Sequence, residues 1–256
     1  MMSFQYIRTE MVNGVGTITL NRPPVNILNI EMMEEINQAL RDLKGEEGLK
    51  VLVFRAEGKA FSAGVDVGEH MGDMVKRMIE TFHGMFRLMD ELQAPSVAVV
   101  NGSALGGGCE LALYCDMVLA TERSTFGQPE IIVGVLPPIA ALIFPRIIGR
   151  KKAMELILSG KTIGAREALE MGLINRIIAD DSLEGDVKQF LDEIARHSAV
   201  ILRLTKKAAI EGLCDDVAGG LRQIEKIYLD ELMRTEDATE GLKAFLEKRK
   251  PVWRDK

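Results

Sequence analysis

The sequence predicts an α/β chain whose first 150 residues alternate strands with helices and whose remainder is nearly all helix. Three observations predict this. Short runs rich in β-branched residues (V-G-T-I-T-L at 15–20, V-L-V-F at 51–54, S-V-A-V-V at 96–100) recur between amphipathic stretches. From Lys151 onward, helical apolar spacing is almost continuous. Glycine makes the third: 11 of the chain's 24 glycines fall between Gly58 and Gly134. That is about 14% of the stretch against roughly 7% in an average protein, so the backbone there is asked for unusual turns.

In order along the chain, Phe4 to Glu10 and Val15 to Leu20 alternate well enough for paired strands, with Asn13-Gly14 as the turn. Asn29 can cap a helix running to about Lys44, with Met33, Ile36, Leu40 and Leu43 on one face. Val51 to Phe54 reads as a short buried strand. A helix over Gly72 to Glu91 leads into the strand Ser96 to Val100. Leu105 to Cys115 reads as a helix beginning inside a glycine cluster, and Met117 to Ala120 as a further strand. The later helices are expected over Lys151–Ser159, Ala165–Met171, Leu183–His197, Ala199–Leu213, Val217–Arg234 and Ala238–Lys248. The expected organisation is a core over residues 1–150 and a helical region over 151–256, serving as lid and oligomerisation region.

Composition excludes several functions. The 256-residue chain is 47% hydrophobic and 27% charged with a net charge of −6, which disfavours a nucleic-acid or anionic-membrane surface as its partner. Its 3 Cys (Cys109, Cys115, Cys214) have no C-x-x-C spacing, and its 3 His (His70, His83, His197) are scattered. No disulfide framework and no metal site are therefore expected. The longest uncharged apolar run, Ile131 to Pro145, is too short and too broken by proline to span a bilayer. Met1 to Glu10 lacks the features of a signal peptide, so a cytoplasmic protein is expected.

Three stretches carry chemistry. In N-G-S-A-L-G-G-G-C-E-L-A-L-Y-C-D at 101–116, a buried strand runs into three glycines and then a helix. Without Cβ atoms, Gly106 to Gly108 let backbone N–H groups approach a ligand at the positive end of the helix, a setting suited to developing negative charge. A tight strand-to-helix packing turn would use the same residues. Glu110 follows on the first helical turn, where a carboxylate suits the dipole, yet apolar neighbours would desolvate it and raise its proton affinity. F-S-A-G-V-D at 61–66 again offers a backbone N–H after a glycine. In F-G-Q-P-E-I-I-V-G-V-L-P-P at 126–138, Glu130 sits in an apolar run and must be paired, protonated or placed in a site. Met71, Met74, Met78, Met85 and Met89 read as one apolar helix face rather than pocket lining, and His83 as structural.

Together these motifs resemble the crotonase, or enoyl-CoA hydratase/isomerase, family. A-G-V-D at 63–66, N-G-x-A-L-G-G-G-C-E-L-A at 101–112 and F-G-Q-P-E-I at 126–131 carry the resemblance. N-R-P at 21–23, S-G-x-x-I-x-A-x-E-A at 159–168, G-L-I at 172–174 and E-G-L-K-A-F-L-E-K-R at 240–249 extend it over nearly the whole chain. The resemblance implies a spiral of ββα units with a helical C-terminal trimerisation region, assembled as a homotrimer or as a hexamer of two trimers. It implies that the backbone N–H groups of Val65 and Gly107 form an oxyanion hole for a thioester carbonyl, and that Glu110 and Glu130 are the catalytic carboxylates. Ala63 would lie along the nucleotide of coenzyme A, with Asp66 of the same motif also on the substrate. No separate cofactor is implied, since coenzyme A is part of the substrate.

One segment departs from the family. After P-E-I, common hydratases continue G-x-x-P-G-x-G-G, whereas here G-V-L-P-P-I-A-A-L runs from Gly134 to Leu142. The family glycine matching Pro138 donates a backbone N–H to the catalytic water, and proline has none. Pro138 and Ile139 are thus expected to shape the substrate site, with a bulkier, more apolar wall. In this the segment resembles the cyclohexa-1,5-diene-1-carbonyl-CoA hydratases of anaerobic aromatic degradation. Alternatives are a general enoyl-CoA hydratase of fatty-acid β-oxidation, an enoyl-CoA isomerase, and a non-catalytic CoA-binding oligomeric scaffold.

Overall fold

A computed structural model describes residues 4–213 and 217–256, so Cys214 lies outside the described residues. Strands β1 (Ile7–Val12) and β2 (Val15–Leu20) form the expected hairpin, although β1 starts three residues later than the pattern suggested, where Ile7 faces Leu20. Asn13 (φ 52°) and Gly14 (φ 82°) supply the two left-handed residues that such a two-residue turn requires. Helix α1 (Ile30–Lys44) is capped by Asn29, whose side chain accepts from Met32 N. A second cap was not legible in the sequence. The buried carboxylate of Glu69 accepts from Ile30 N at 2.9 and 3.1 Å.

The chain then repeats one unit three times. β3 (Val51–Ala56), β4 (Ala60–Ser62) and α2 (Met74–Leu92) form the first, and β5 (Ser96–Val100), β6 (Ser103–Leu105) and α3 (Gly107–Tyr114) the second. β7 (Met117–Thr121), β8 (Thr125–Gly127), a 3-10 turn over Pro129–Val133 and α4 (Pro138–Ile147) make the third. Each first strand joins a six-stranded sheet and each second strand a four-stranded one, so the path is a spiral of ββα turns as the family resemblance implied. The chain continues through α5 (Gly149–Ser159), β9 (Thr162–Gly164), α6 (Ala165–Met171), β10 (Arg176–Ile178), α7 (Leu183–Ala195) and α8 (Ala199–Glu211). Helices α9 (Val217–Lys226) and α10 (Glu236–Leu246) complete it.

The six-stranded sheet is covered on both faces. Val51, Val53, Val97, Val99 and Leu119 pack towards Val187 and Phe190 of α7, while Leu52, Phe54, Ala98, Val100 and Ala120 join the main core. Two-sided burial is why these parallel strands read as unbroken apolar runs. On α2, Met78, Met85 and Met89 belong to the main core, whereas Met71 and Met74 are exposed before and at its start.

The expected boundary at residue 150 does not mark the end of the core. β9 pairs with β8 and β10 pairs with β7, so both sheets are completed by residues 162–178. Three-residue strands are too short to carry a readable period, and that hid them. The single helix expected over Val217–Arg234 also divides, with a π turn at Ile227–Glu231 and a 3-10 turn at Leu232–Arg234 following α9.

Successive spiral turns press closely where the chain passes from β5 to β6. A Cβ on Gly102 would stand 2.1 Å from the Lys59 carbonyl oxygen, which is backbone and cannot rotate away. Gly102→Ala is expected to destabilise the fold by about 2–4 kcal/mol in a denaturation experiment, by overpacking.

Candidate active site

Two strand ends build the first half of the site. After β4 the chain turns through Gly64, whose φ of +105° suits glycine alone. Leu28 N donates to Gly64 O (2.9 Å) and Asp66 N donates to Leu28 O (3.0 Å), the alternation of a parallel bridge centred on Val65. That alternation turns Val65's own N–H to the side away from Leu28. After β6, Gly106 takes φ 52° and ψ −131° and opens α3. Gly107 is then the first helical residue, and its N–H has no partner within the helix.

The glycine cluster is a packing device. A Cβ on Gly107 would meet Val65 Cγ2 at 2.6 Å and the Phe82 ring at 3.2 Å, and one on Gly108 would meet Ser62 Cβ at 2.5 Å. Close packing of the α3 start on the β4 turn is thus what brings Gly107 against Val65. Two backbone donors at the positive end of a helix can stabilise negative charge developing on one oxygen.

Glu110 stands on the first turn of α3 and is 1% exposed. Its Oε1 accepts from Ile139 N (2.7 Å) and Ala140 N (2.8 Å), both on the first turn of α4. Burial is the largest influence and pushes its pKa up to about 8; the Ala140 N–H pulls it down, the charge of Glu130 raises it further, and the Ile139 N–H lowers it. Oε2 accepts no hydrogen bond from the described residues.

Glu130 lies on the first turn of the 3-10 segment after Pro129. Burial raises its pKa to about 7 against the pull of its own backbone N–H. A Cβ on Gly106 would stand 2.8 Å from Glu130 Oε1, so this carboxylate lies directly against the glycine turn. The fully buried Gln128 amide faces the same carboxylate. With its nitrogen as the donor it reaches Oε1 at 3.2 Å and Oε2 at 3.1 Å. Glu110, Glu130, Val65 and Gly107 are thereby brought together around the Gly106 turn.

Comparison with known proteins decides the family. The profile described as enoyl-CoA hydratase/isomerase matches residues 10–256. The chain belongs to the enoyl-CoA hydratase/isomerase, or crotonase, family. It is an enzyme of the hydratase type, a carbon–oxygen lyase. It is 38% identical to a probable enoyl-CoA hydratase of Rhizobium meliloti over 97% of this chain and 98% of the relative. It is also 38% identical to the cyclohexa-1,5-dienecarbonyl-CoA hydratase of Thauera aromatica, over 93% and 92% of the two chains. A crystal structure of enoyl-CoA hydratase from Bacillus anthracis superposes with a TM-score of 0.92 at 32% identity, covering 98% of this chain and all of the other.

The remaining expected site residues of this crotonase-family enzyme are placed as follows. Ala63 is exposed, and its N–H donates to Val25 O. The Asp66 carboxylate accepts from Gly68 N and caps the short 3-10 turn Val67–His70. Pro138 is the first residue of α4. Ile139 contributes its N–H, while its side chain is buried in the main core. The apolar wall expected from Ile139 to Leu142 is therefore only partly realised, since Ala141 and Leu142 face outward on α4. The sequence marks Gln128 only as part of F-G-Q-P-E and Ala140 only as apolar wall; the contact of the first with Glu130 and the N–H that the second gives Glu110 carry no sequence signal. A cleft of about 510 Å³ between the β1–β2 hairpin and α7 is lined by none of these residues.

The buried carboxylate sets a pH signature on stability. Glu110's folded pKa is raised from 4.5 to about 8, so its contribution is fully present below pH 4.5 and is lost as pH rises through 8. Glu110→Gln keeps an oxygen for the two α4 donors. Thermal unfolding is expected to show this variant gaining stability over wild type between those limits, on the order of a few kcal/mol at the upper end. A difference that does not vary with pH would contradict this.

Proposed function

We propose that this enzyme adds water across a carbon–carbon double bond conjugated to an acyl-CoA thioester. The supporting observation is the pairing of two carboxylates of raised proton affinity, the buried Glu110 and the half-buried Glu130, with the backbone N–H groups of Val65 and Gly107 beside them. Water is a poor nucleophile, and the alkene becomes reactive only as the thioester oxygen takes up negative charge. The two donors stabilise that charge, each worth about 3 kcal/mol in comparable sites. One carboxylate in its ionised form takes a proton from water while the oxygen bonds to the β carbon. The other, protonated, delivers a proton to carbon, so one water is added and the pair ends with its protons exchanged. Coenzyme A arrives as part of the substrate, and the reaction requires no separate cofactor.

For the acyl group we infer the cyclic cyclohexa-1,5-diene-1-carbonyl thioester. The Thauera relative carries that substrate in its name, and the Pro137-Pro138 opening of α4 rebuilds the surroundings of Glu110. There the water oxygen would bond to the β carbon and the proton would go to the far end of the diene, a 1,4-addition that leaves one shifted double bond. The Rhizobium relative at equal identity favours a linear enoyl-CoA as the second reading. We also infer a cytoplasmic homotrimer or hexamer. Leu229, Phe245 and Leu246, each more than 60% exposed in the single chain, support an assembled C-terminal region. No described helix is long and apolar enough to cross a membrane.

A panel of linear and cyclic enoyl-CoA esters, with products read by mass and position, tests the reaction. A product heavier by one water is expected, and an isomer of unchanged mass would overturn hydration. Efficient turnover of crotonyl-CoA with the cyclic dienoyl thioester untouched would overturn the cyclic assignment. Glu110→Gln and Glu130→Gln are each expected to reduce turnover about a hundred- to ten-thousand-fold while the fold survives. Dependence of kcat/KM on pH is expected to be bell-shaped, falling below about 7 and above about 8, the two values belonging to the pair.

A further inference from the structure

Between Val65 and Met78 the chain has one buried side chain, and it is a carboxylate. Val67 is 62% exposed and Met71 68%, and the rest of residues 71–77 also face solvent, so no apolar anchor holds this stretch down. Glu69 is buried instead, and both its oxygens accept from Ile30 N, the first N–H of α1. That N–H has no partner within its own helix, and a carboxylate suits the positive helix end. The turn leading to Glu69 is braced internally. Asp66 Oδ1 accepts from Gly68 N, and Asp66 O accepts from Glu69 N at 3.2 Å.

Val65 stands at the near end of this braced turn. Its pairing with Leu28 is an isolated bridge, with no ladder continuing beyond it. Upstream, the chain is tied by Ala63 N donating to Val25 O. Downstream, the next tie to residues 28–30 is the Glu69 carboxylate on Ile30 N, two residues past Leu28. The Val65 N–H belongs to the peptide that follows Gly64, and a glycine lets that peptide plane turn at little cost. The bridge alone therefore leaves the plane free to swing, and the second tie closes the segment into a ring.

We propose that Glu69 is a positioning residue: by anchoring the far end of the turn to Ile30, it fixes the direction in which the Val65 N–H points. The inference rests on the oxyanion-donor reading of Val65 given above. A backbone donor stabilises developing charge only if it is already aimed, because a hydrogen bond weakens steeply as its angle closes. Glu69 supplies that aim from outside the site, through the start of α1. Burial raises its proton affinity, the Ile30 N–H lowers it, Asp66 and Glu31 raise it and Arg22 lowers it, so the Ile30 contact works against the desolvation of this carboxylate. Asn29 provides a contrast within the same helix start. Its side chain bonds Met32 and Glu31, both on α1, and holds no residue of the Val65 turn.

Amide NMR of the free enzyme labelled with nitrogen-15 valine tests this without substrate, the Val65 signal being assigned through Val65→Ala. Glu69→Ala removes the tie, and Glu69→Asp shortens it by one methylene while keeping the charge. Both are expected to move the Val65 amide signal and to speed its hydrogen exchange. Glu69→Gln keeps an oxygen for Ile30 N and is expected to restore the wild-type signal. Asn29→Ala weakens the same helix start and is expected to leave the Val65 signal in place. Circular dichroism establishes that each variant is folded, and Glu69→Asp carries the test if Glu69→Ala does not fold. An unmoved Val65 signal in a folded Glu69→Ala or Glu69→Asp, no recovery in Glu69→Gln, or an equal change in Asn29→Ala would overturn the proposal. A second measurement reads the oxyanion role itself, by infrared spectroscopy of bound butyryl-CoA carrying carbon-13 at its thioester carbonyl, a saturated compound that cannot be hydrated. Wild type is expected to lower the carbonyl frequency, and Glu69→Ala to lose about half of that lowering, with one of two donors misdirected. A wild-type frequency unchanged by binding would sink the oxyanion reading of Val65 and Gly107. A lowering that persists in full in Glu69→Ala would sink the role given to Glu69 alone, so the two failures are told apart.

Discussion

A buried carboxylate gripped by the start of a helix is the contact on which the rest of this site depends. Glu110 is almost fully removed from water, which alone would keep it protonated through the neutral range. The Ile139 and Ala140 N–H groups counter that desolvation, and the outcome is a group that can ionise near neutrality. The same contact ties the second spiral turn, which carries Glu110, to the third, which carries Glu130 and α4. Chemistry and tertiary assembly are held by the same two hydrogen bonds.

The two proposed oxyanion donors follow a parallel logic. Neither Val65 nor Gly107 acts through its side chain; each offers an N–H that secondary structure has no use for. In one case the bridge to Leu28 uses the flanking residues, and in the other the helix start leaves the donor over. What remains is to bring the two backbones together, and absent side chains at Gly107 and Gly108 allow that against Val65, Phe82 and Ser62. The glycine excess between Gly58 and Gly134 is the sequence record of this approach. Packing and ligand access were alternatives when only the letters G-G-G were available. In three dimensions the packing is shown, and the proposed ligand access would use the same close approach.

Pro138 opens α4 with a preset φ, and the next two N–H groups converge on one oxygen of Glu110. Ile139 donates its backbone N–H to Glu110 while its side chain serves the core.

Read alone, the sequence determined the α/β class, the main strands and helices, the two glutamates and the two glycine-led turns. Those features are local: period, capping by Asn29, and left-handed turns at Asn13-Gly14 are set by neighbours in the chain. Tertiary structure decided what depends on distant partners. The three-residue strands β9 and β10 exist only because β8 and β7 offer free edges, which moved the end of the core past residue 150. The Glu69 cap on α1, the Gln128 amide on Glu130 and the α4 grip on Glu110 join residues remote in sequence. No pattern announces them, because a hydrogen bond across the fold leaves no period in the chain that makes it.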